Sequence, residues 1–134
     1  MRKIVLKGCC ASRGVAEGEA LVFQEPLSFA VINPETGDFI KGHKLEGENV
    51  AQKILVSPCC CGSTTNDVRM LVMKKYGVAP NAIINISAYP IAVVGAITSH
   101  IPMMYSLDKN LMENIETGDY LKVDADKGVV EILK

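Results

Sequence analysis

One continuous segment, which reads as strand, loop, helix and strand in succession, most constrains the fold of this chain. Residues 53–57 are short, apolar and β-branched, and Pro58 then ends the strand because it lacks a backbone donor. Apolar residues at helical spacing predict a helix over 68–76, which Gly77 stops. The apolar run 82–86 predicts the second strand. We therefore predict a βαβ crossover in which the two strands are parallel.

Hydroxyl side chains cluster where the first strand gives way to the helix, at Gly62, Ser63, Thr64 and Thr65. A helix begins with unpaired backbone N–H groups and a partial positive charge, and Gly62 lets the backbone approach a ligand closely. An anion or a developing oxyanion would be stabilised there. The alternative is that a hydroxyl in this loop only caps the helix. No Lys precedes the serine, which argues against a nucleotide P-loop.

Composition indicates one soluble globular domain, residues 1–134, with a core large enough to be stable without disulfides or structural metal ions. The formal net charge of −1 and an aromatic content of 5% argue against a nucleic-acid partner. No apolar run reaches the roughly 20 residues of a membrane span. The start of the chain is too short in its apolar part for a signal peptide, so we predict a first strand there and a cytoplasmic location.

The cysteines form two tight clusters: Cys9, Cys10, Cys59, Cys60 and Cys61. An odd number in this arrangement argues against a disulfide framework, and the spacing is not that of a zinc site. We therefore interpret the five thiols as small buried hydrophobes and predict no metal ligand among them. A reactive thiol near Ser63, or a metal site where the two clusters meet, stays open.

The remaining patterns predict a strand-rich α/β protein with two or three helices. Turn residues at 33–37 predict a hairpin turn, and the run 91–97 fits either a buried strand or a helix. A helix is predicted at 108–115. Strands are predicted at 1–7, 20–23, 29–32, 102–105, 120–125 and 129–133, the last two as a hairpin.

Short motifs that are weak one by one form a specific combination along nearly the whole chain. They include RGVAEGEALV at 13–22, NPETG at 33–37, GS at 62–63, GVAP at 77–80, AIIN at 82–85, VGAI at 94–97 and GDY at 118–120. In this combination the chain resembles the small-subunit family of aconitase X. The resemblance implies the aconitase-type swivelling domain, a compact β/β/α barrel-like unit that closes over an active site on a partner.

The resemblance also implies an activity and a partner. Family members are hydro-lyases in which a large aconitase-like subunit carries an iron–sulfur cluster or iron and the small subunit supplies a serine, so this chain binds no cofactor itself. The heterodimer is expected to be active and the isolated chain inert. Carried over, Ser63 is the catalytic base, and Gly62, Thr64 and Thr65 shape the loop that binds substrate. The implied substrate is mevalonate 5-phosphate, with cis-3-hydroxy-L-proline or another small hydroxy acid as the alternative.

The chain departs from the family pattern at positions 59–61, where cysteines replace a basic residue and glycine. Basic groups are the usual partners of substrate carboxylate or phosphate. Arg13, Lys53 and Arg69 are the candidate replacements, with Arg13 as the predicted substrate contact. Two other hypotheses stay open: a non-catalytic swivel or anion-binding module, and a cysteine-centred metal or redox module.

Overall fold

The structure, a computed structural model, describes residues 2–61 and 65–134. Its strands are β1 (Lys3–Lys7), β2 (Cys9–Ser12), β3 (Val15–Val22), β4 (Ile54–Ser57), β5 (Ala82–Asn85), β6 (Met103–Tyr105), β7 (Tyr120–Asp124) and β8 (Val129–Leu133). Its helices are α1 (Asn66–Lys75), α2 (Pro90–Thr98) and α3 (Leu111–Asn114), and Phe29–Val31 forms a 3-10 turn. The strand-rich α/β class predicted from the sequence is confirmed.

A single sheet runs in the order β1-β8-β7-β3-β4-β5-β6-β2 and changes character at β3. The first part of β3, Val15–Glu19, pairs antiparallel with β7, whereas Ala20–Val22 pairs parallel with β4. Strands β4, β5 and β6 are parallel to one another, so the predicted crossover is confirmed. The hairpin β7–β8 is confirmed too, and β1 pairs with β8 at one margin of the sheet.

The parallel strands are buried on both faces, which explains why they read as unbroken apolar runs. Leu55 and Ile83 belong to a core that also contains Met70 of α1 and Ala96 of α2. The alternate residues of the same strands belong to a second core, formed with the antiparallel half of the sheet and α3: Ile54, Val56, Ile84, Leu121, Val130 and Leu111. The parallel strands therefore have one core on each face. Helices α1 and α2 cover the first core, and the antiparallel strands of the sheet cover the second.

Helices α1 and α2 approach each other closely at Gly95. A Cβ atom at that position would lie 2.7 Å from the Cα atom of Asp67 and 2.7 Å from the sulfur of Met70. The small-residue run 91–97 is therefore helical, because its glycine and alanines allow α2 to pack against α1. None of the helices in the described ranges has the length and apolar character needed to cross a bilayer.

The predicted strand at 29–32 is wrong. Phe29–Val31 is a 3-10 turn in which Ser28 Oγ accepts from the backbone N–H of Ala30 at 3.1 Å. The N–H of Phe29 donates to Asn66 Oδ1 at 3.0 Å, so this side chain replaces a strand partner and overrides the local β-propensity. Ile32 keeps an isolated bridge to Phe39 across the predicted turn, which is confirmed.

The third helix is shorter than predicted. It begins at Leu111 because Asn110 is its N-cap, the Oδ1 atom accepting from the N–H of Met112 at 2.9 Å. Asp108, the first residue of the predicted helix, instead accepts from the backbone N–H of Lys7 at 3.0 Å. The chain before Asn110 is thus tied to β1 and takes no part in the helix.

Candidate functional site

The carboxyl ends of β4, β5 and β6 meet at one edge of the sheet. The backbone N–H groups of Ile86 and Ser87 both donate to the carbonyl of Pro58, at 2.9 and 3.1 Å, and the N–H of Ser106 donates to the carbonyl of Ile86 at 3.2 Å. Three loops are therefore joined into one surface. Ligands of α/β proteins commonly bind outside the carboxyl ends of parallel strands, so we call this surface the carboxyl edge.

A cleft of about 230 Å³ opens at the carboxyl edge, between the loop after β5 and the loop after β6. Aliphatic and polar side chains line it in equal number: Ile86, Leu107, Leu111, Ser106, Lys109 and Asn110. Ser106 has a positive φ of 53°, a conformation that costs free energy for a residue with a side chain. Strain of this kind is concentrated at functional surfaces.

The segments on either side of the predicted catalytic loop lie within the described residues. Gly62, Ser63 and Thr64 lie outside the described residues. Before them β4 ends at Ser57, and after them Thr65 is the N-cap of α1, its carbonyl accepting from the N–H of Arg69 at 3.0 Å. The strand-to-helix connection that motivated the prediction is present, whereas the roles of the loop residues remain predictions.

Asn85, at the end of β5, anchors the chain that leads into this loop. Its Nδ2 atom donates to the carbonyl oxygen and to Oγ of Ser57, each at 3.1 Å, and Oγ of Ser57 donates to the carbonyl of Cys59 at 3.4 Å. Both Asn85 and Ser57 are fully buried. The Oδ1 atom of Asn85 has no hydrogen-bond partner among the described residues, a costly state for a buried oxygen.

Asn66, in the first turn of α1, is a second buried amide that has an atom without a hydrogen-bond partner among the described residues. It is fully buried and its Oδ1 accepts from Phe29, but its Nδ2 donor has no partner in the described part of the chain. The sequence analysis assigned no role to Asn66 or Asn85. The signal was available, since a polar amide at the end of an apolar strand or the start of a helix is unusual when buried.

The cysteines separate into two environments. Cys59 and Cys60 are 6% and 1% exposed, so the prediction of buried hydrophobes is confirmed for them. It is wrong for Cys9 and Cys10, which are exposed because β2 is the outermost strand and pairs on one side with β6. Cys61 is half-buried, so it does not fit the prediction fully either. Burial raises the pKa of Cys60 to about 11, and burial together with the neighbouring Cys61 thiol raises the pKa of Cys59 to about 12.

The candidate basic residues do not gather at one place. Arg13 follows Ser12, which pairs with Met103 at the amino end of β6, so Arg13 lies at the opposite edge and its Nε is 3.5 Å from Asp126 Oδ1. Lys53 immediately precedes the amino end of β4. Arg69 lies one turn into α1, where its Nη1 donates to the carbonyl of Ile32 at 3.3 Å.

A family model described as the aconitase X swivel domain matches residues 5–132. The chain belongs to the aconitase X swivel domain family. It is 42% identical over its whole length to the phosphomevalonate dehydratase small subunit of Methanosarcina acetivorans, of which it covers 94%. The protein of that name from Archaeoglobus fulgidus is 44% identical over 92% of this chain and 94% of its own.

Solved structures agree with this membership. The crystal structure of the holo-form of Thermococcus kodakaraensis aconitase X matches with a TM-score of 0.90 and 41% identity, covering 98% of this chain and 99% of that chain. A solution structure of a UPF0107 protein matches with a TM-score of 0.91 and 41% identity, over 98% of this chain and 100% of that one. The swivelling-domain fold implied by the sequence resemblance is confirmed.

Proposed function

We propose that this swivel domain is the small subunit of a hydro-lyase that removes water from mevalonate 5-phosphate, in complex with a large subunit that carries an iron centre. The observation that carries the proposal is the end-to-end match to relatives that bear the name phosphomevalonate dehydratase small subunit. The match to the first of these relatives extends over the whole of this chain. A small subunit also requires a larger partner chain.

The base of the reaction is assigned to Ser63. Residues 62–64 connect Cys61 to Thr65, so they lead directly into the N-terminus of α1. A serine hydroxyl is a weak base unless its alkoxide is stabilised, and helix N–H donors and the helix dipole supply such stabilisation. In a 3-hydroxy acid the base takes the proton from the carbon next to the carboxylate while hydroxide leaves the adjacent carbon, which yields an alkene and water.

The iron centre is assigned to the large subunit. Among residues 2–61 and 65–134, no three His, Cys, Asp or Glu side chains converge in a way that could hold a metal ion. The sulfurs of Cys59 and Cys61 are only 2.7 Å apart, which is too close for two ligands each about 2.3 Å from a tetrahedral metal. The described residues of this chain therefore do not fit an iron site.

The large subunit is expected to cover the carboxyl edge. Three apolar side chains at the junction of β5 and α2 are exposed there, Ile86 by 45%, Tyr89 by 47% and Ile91 by 38%. An aromatic residue flanked by aliphatic ones is typical of an interface core. Because β4, the strand that precedes the loop with Ser63, ends at the same edge, we expect docking on this surface to close the active site between the two subunits.

Arg69 is the favoured contact for the substrate phosphate. It lies one helical turn beyond Thr65, and one of its guanidinium nitrogens is held by the carbonyl of Ile32. A guanidinium fixed in this way next to a helix N-terminus suits a phosphate, which needs several donors. The substrate contact predicted for Arg13 stays a prediction.

The experiment that tests the function is reconstitution with the large subunit. The assembled complex should convert mevalonate 5-phosphate to its dehydrated product, followed by mass spectrometry, and the isolated chain should not. Ser63→Ala should lower kcat about a thousandfold or more and leave complex formation unchanged. Thr98→Ala is the matched control, because its hydroxyl donates within α2, to the carbonyls of Val94 and Gly95. Near-normal kcat in Ser63→Ala would remove the serine from the mechanism.

A further inference from the structure

Two of the three consecutive cysteines form a close pair. The Sγ atoms of Cys59 and Cys61 are 2.7 Å apart. The sulfur of Cys60 is instead 4.0 Å from Oγ of Ser57, in the buried network that Asn85 anchors. Cys61 is partly exposed, whereas Cys59 is 6% exposed. The segment therefore presents one thiol pair with a solvent-accessible member and a third thiol that faces elsewhere.

The backbone accounts for this arrangement. The N–H of Leu27 donates to the carbonyl of Cys59 at 3.0 Å, and the N–H of Cys61 donates to the carbonyl of Leu27 at 3.3 Å. Leu27 thus holds the peptide groups on both sides of Cys60. In a chain held like a strand, residues i and i+2 point to the same side and residue i+1 points to the other. Cys59 and Cys61 therefore lie on the same side of the chain, and Cys60 lies on the other side.

The two sulfur atoms lie closer than an ordinary non-bonded contact. Non-bonded heavy atoms pack at about 3.5–4.0 Å, so a separation of 2.7 Å leaves no room for a water molecule or another side chain between the two sulfurs. Residues two positions apart have Cα atoms at most about 7 Å apart. That limit is near the upper end of the Cα separation found in disulfides, so the bond can form without a large backbone movement.

We propose that Cys59 and Cys61 form a reversible dithiol–disulfide pair that reacts with low-molecular-weight disulfides. The Cys61 thiolate attacks one sulfur of the small disulfide, whose S–S bond breaks and releases one small thiol. Cys59 loses its proton and its sulfur attacks Cys61 in the mixed disulfide, which releases the second small thiol. The protein gives up two protons and two electrons, and the small disulfide is reduced to two thiols.

The order of the two attacks follows from exposure and ionisation. Cys61 is the accessible member of the pair, so it meets the small disulfide first. Burial, reinforced by the neighbouring Cys61 thiol, raises the pKa of Cys59 to about 12. Cys59 is therefore the slower, resolving thiol. The pair is defined by this chain alone and does not depend on the proposed dehydratase activity.

The test uses the full chain with Cys9 and Cys10 replaced by serine, since these exposed thiols would also react. The reduced protein is incubated with oxidised glutathione, denatured, alkylated with iodoacetamide and digested with trypsin. Cleavage after Lys53 and Arg69 releases one peptide that contains all three remaining cysteines. We expect this peptide to carry one alkylated thiol, at position 60, and one internal disulfide. Dithiothreitol should restore three alkylated thiols.

Two matched variants decide the pairing. Cys60→Ser should still form the disulfide, whereas Cys61→Ser should form none. Three alkylated thiols after treatment of the parent protein, a glutathione adduct that never resolves, or a bond between Cys60 and either neighbour would each overturn the proposal.

Discussion

Asn85 and Ser57 are joined side by side at the carboxyl ends of β5 and β4, where Nδ2 of Asn85 donates to both the carbonyl oxygen and the hydroxyl oxygen of Ser57, each at 3.1 Å. Both residues are fully buried, so these bonds are shielded from water. They fix the end of β4 just before the cysteines and the predicted catalytic loop.

Asn85→Ala should therefore lower the free energy of unfolding by about 1–3 kcal/mol, because it leaves buried oxygens of Ser57 without their donor. Urea denaturation of the isolated chain measures the effect. Asn81→Ala is the matched control, since Asn81 donates to the carbonyls of Glu17 and Gln52 from a half-buried position before β5 begins. A loss for Asn85→Ala no larger than that for Asn81→Ala would mean that the Ser57 contact contributes little.

Arg69→Ala should reduce kcat/KM of the assembled enzyme on mevalonate 5-phosphate by about tenfold to a hundredfold, the cost of one charge-assisted contact. On cis-3-hydroxy-L-proline, which has no phosphate, the same change should have little effect. Arg13→Ala should be close to neutral, because Arg13 is 87% exposed and lies at the opposite edge of the sheet. Equal losses on both substrates would show that Arg69 acts on the fold, and a selective loss in Arg13→Ala would restore the original prediction.

Tyr89→Asp should weaken association with the large subunit by tenfold or more, because a carboxylate would be buried in an apolar contact. Val15→Asp is the control for charge and exposure. Val15 is 68% exposed but stands at the start of β3, at the end of the sheet away from the carboxyl edge. Titration of the labelled chain with the large subunit measures both Kd values. If Val15→Asp weakened binding and Tyr89→Asp did not, the docking surface would be at the opposite edge.

The stability of the reduced chain should fall as the pH rises from about 9 toward 11. Burial raises the pKa of Cys60 to about 11 from 9.0, so in this interval the unfolded thiol ionises while the folded thiol stays protonated. The stabilisation is complete below pH 9 and is lost as the pH passes the folded pKa. Two pKa units correspond to about 2–3 kcal/mol at most.

Comparison with Cys60→Ala isolates this contribution, since the lysines and tyrosines titrate in both proteins. The variant should lose less free energy of unfolding between pH 9 and pH 11 than the parent. Parallel curves for the two proteins would show that Cys60 ionises alike in the folded and unfolded states.

Local patterns predicted the elements whose burial is either continuous or follows a simple period along the chain. The parallel strands β4 and β5, the helix between them and the β7–β8 hairpin followed from apolar runs and turn residues. Phe29 was misassigned because its backbone partner, Asn66, is distant in sequence and contributes a side chain. The position of Arg13 at the far edge depends on the pairing of β2 with β6, and the close approach of Cys59 to Cys61 depends on Leu27. Such long-range partners leave no local pattern.

The pairing of strand β3 with partners on both sides affects how fast the chain can fold. Its first residue pairs with Asp124, and its last residues pair with β4, so the two halves of the sheet share one strand whose partners are far apart in sequence. Contacts of this kind require large loops to close before they contribute, and proteins rich in them fold in milliseconds to seconds. The parallel β4–β5 unit can assemble from neighbouring residues, whereas the antiparallel half must wait for β7. We therefore expect the pairing of β3 with β7 to be a late event in folding.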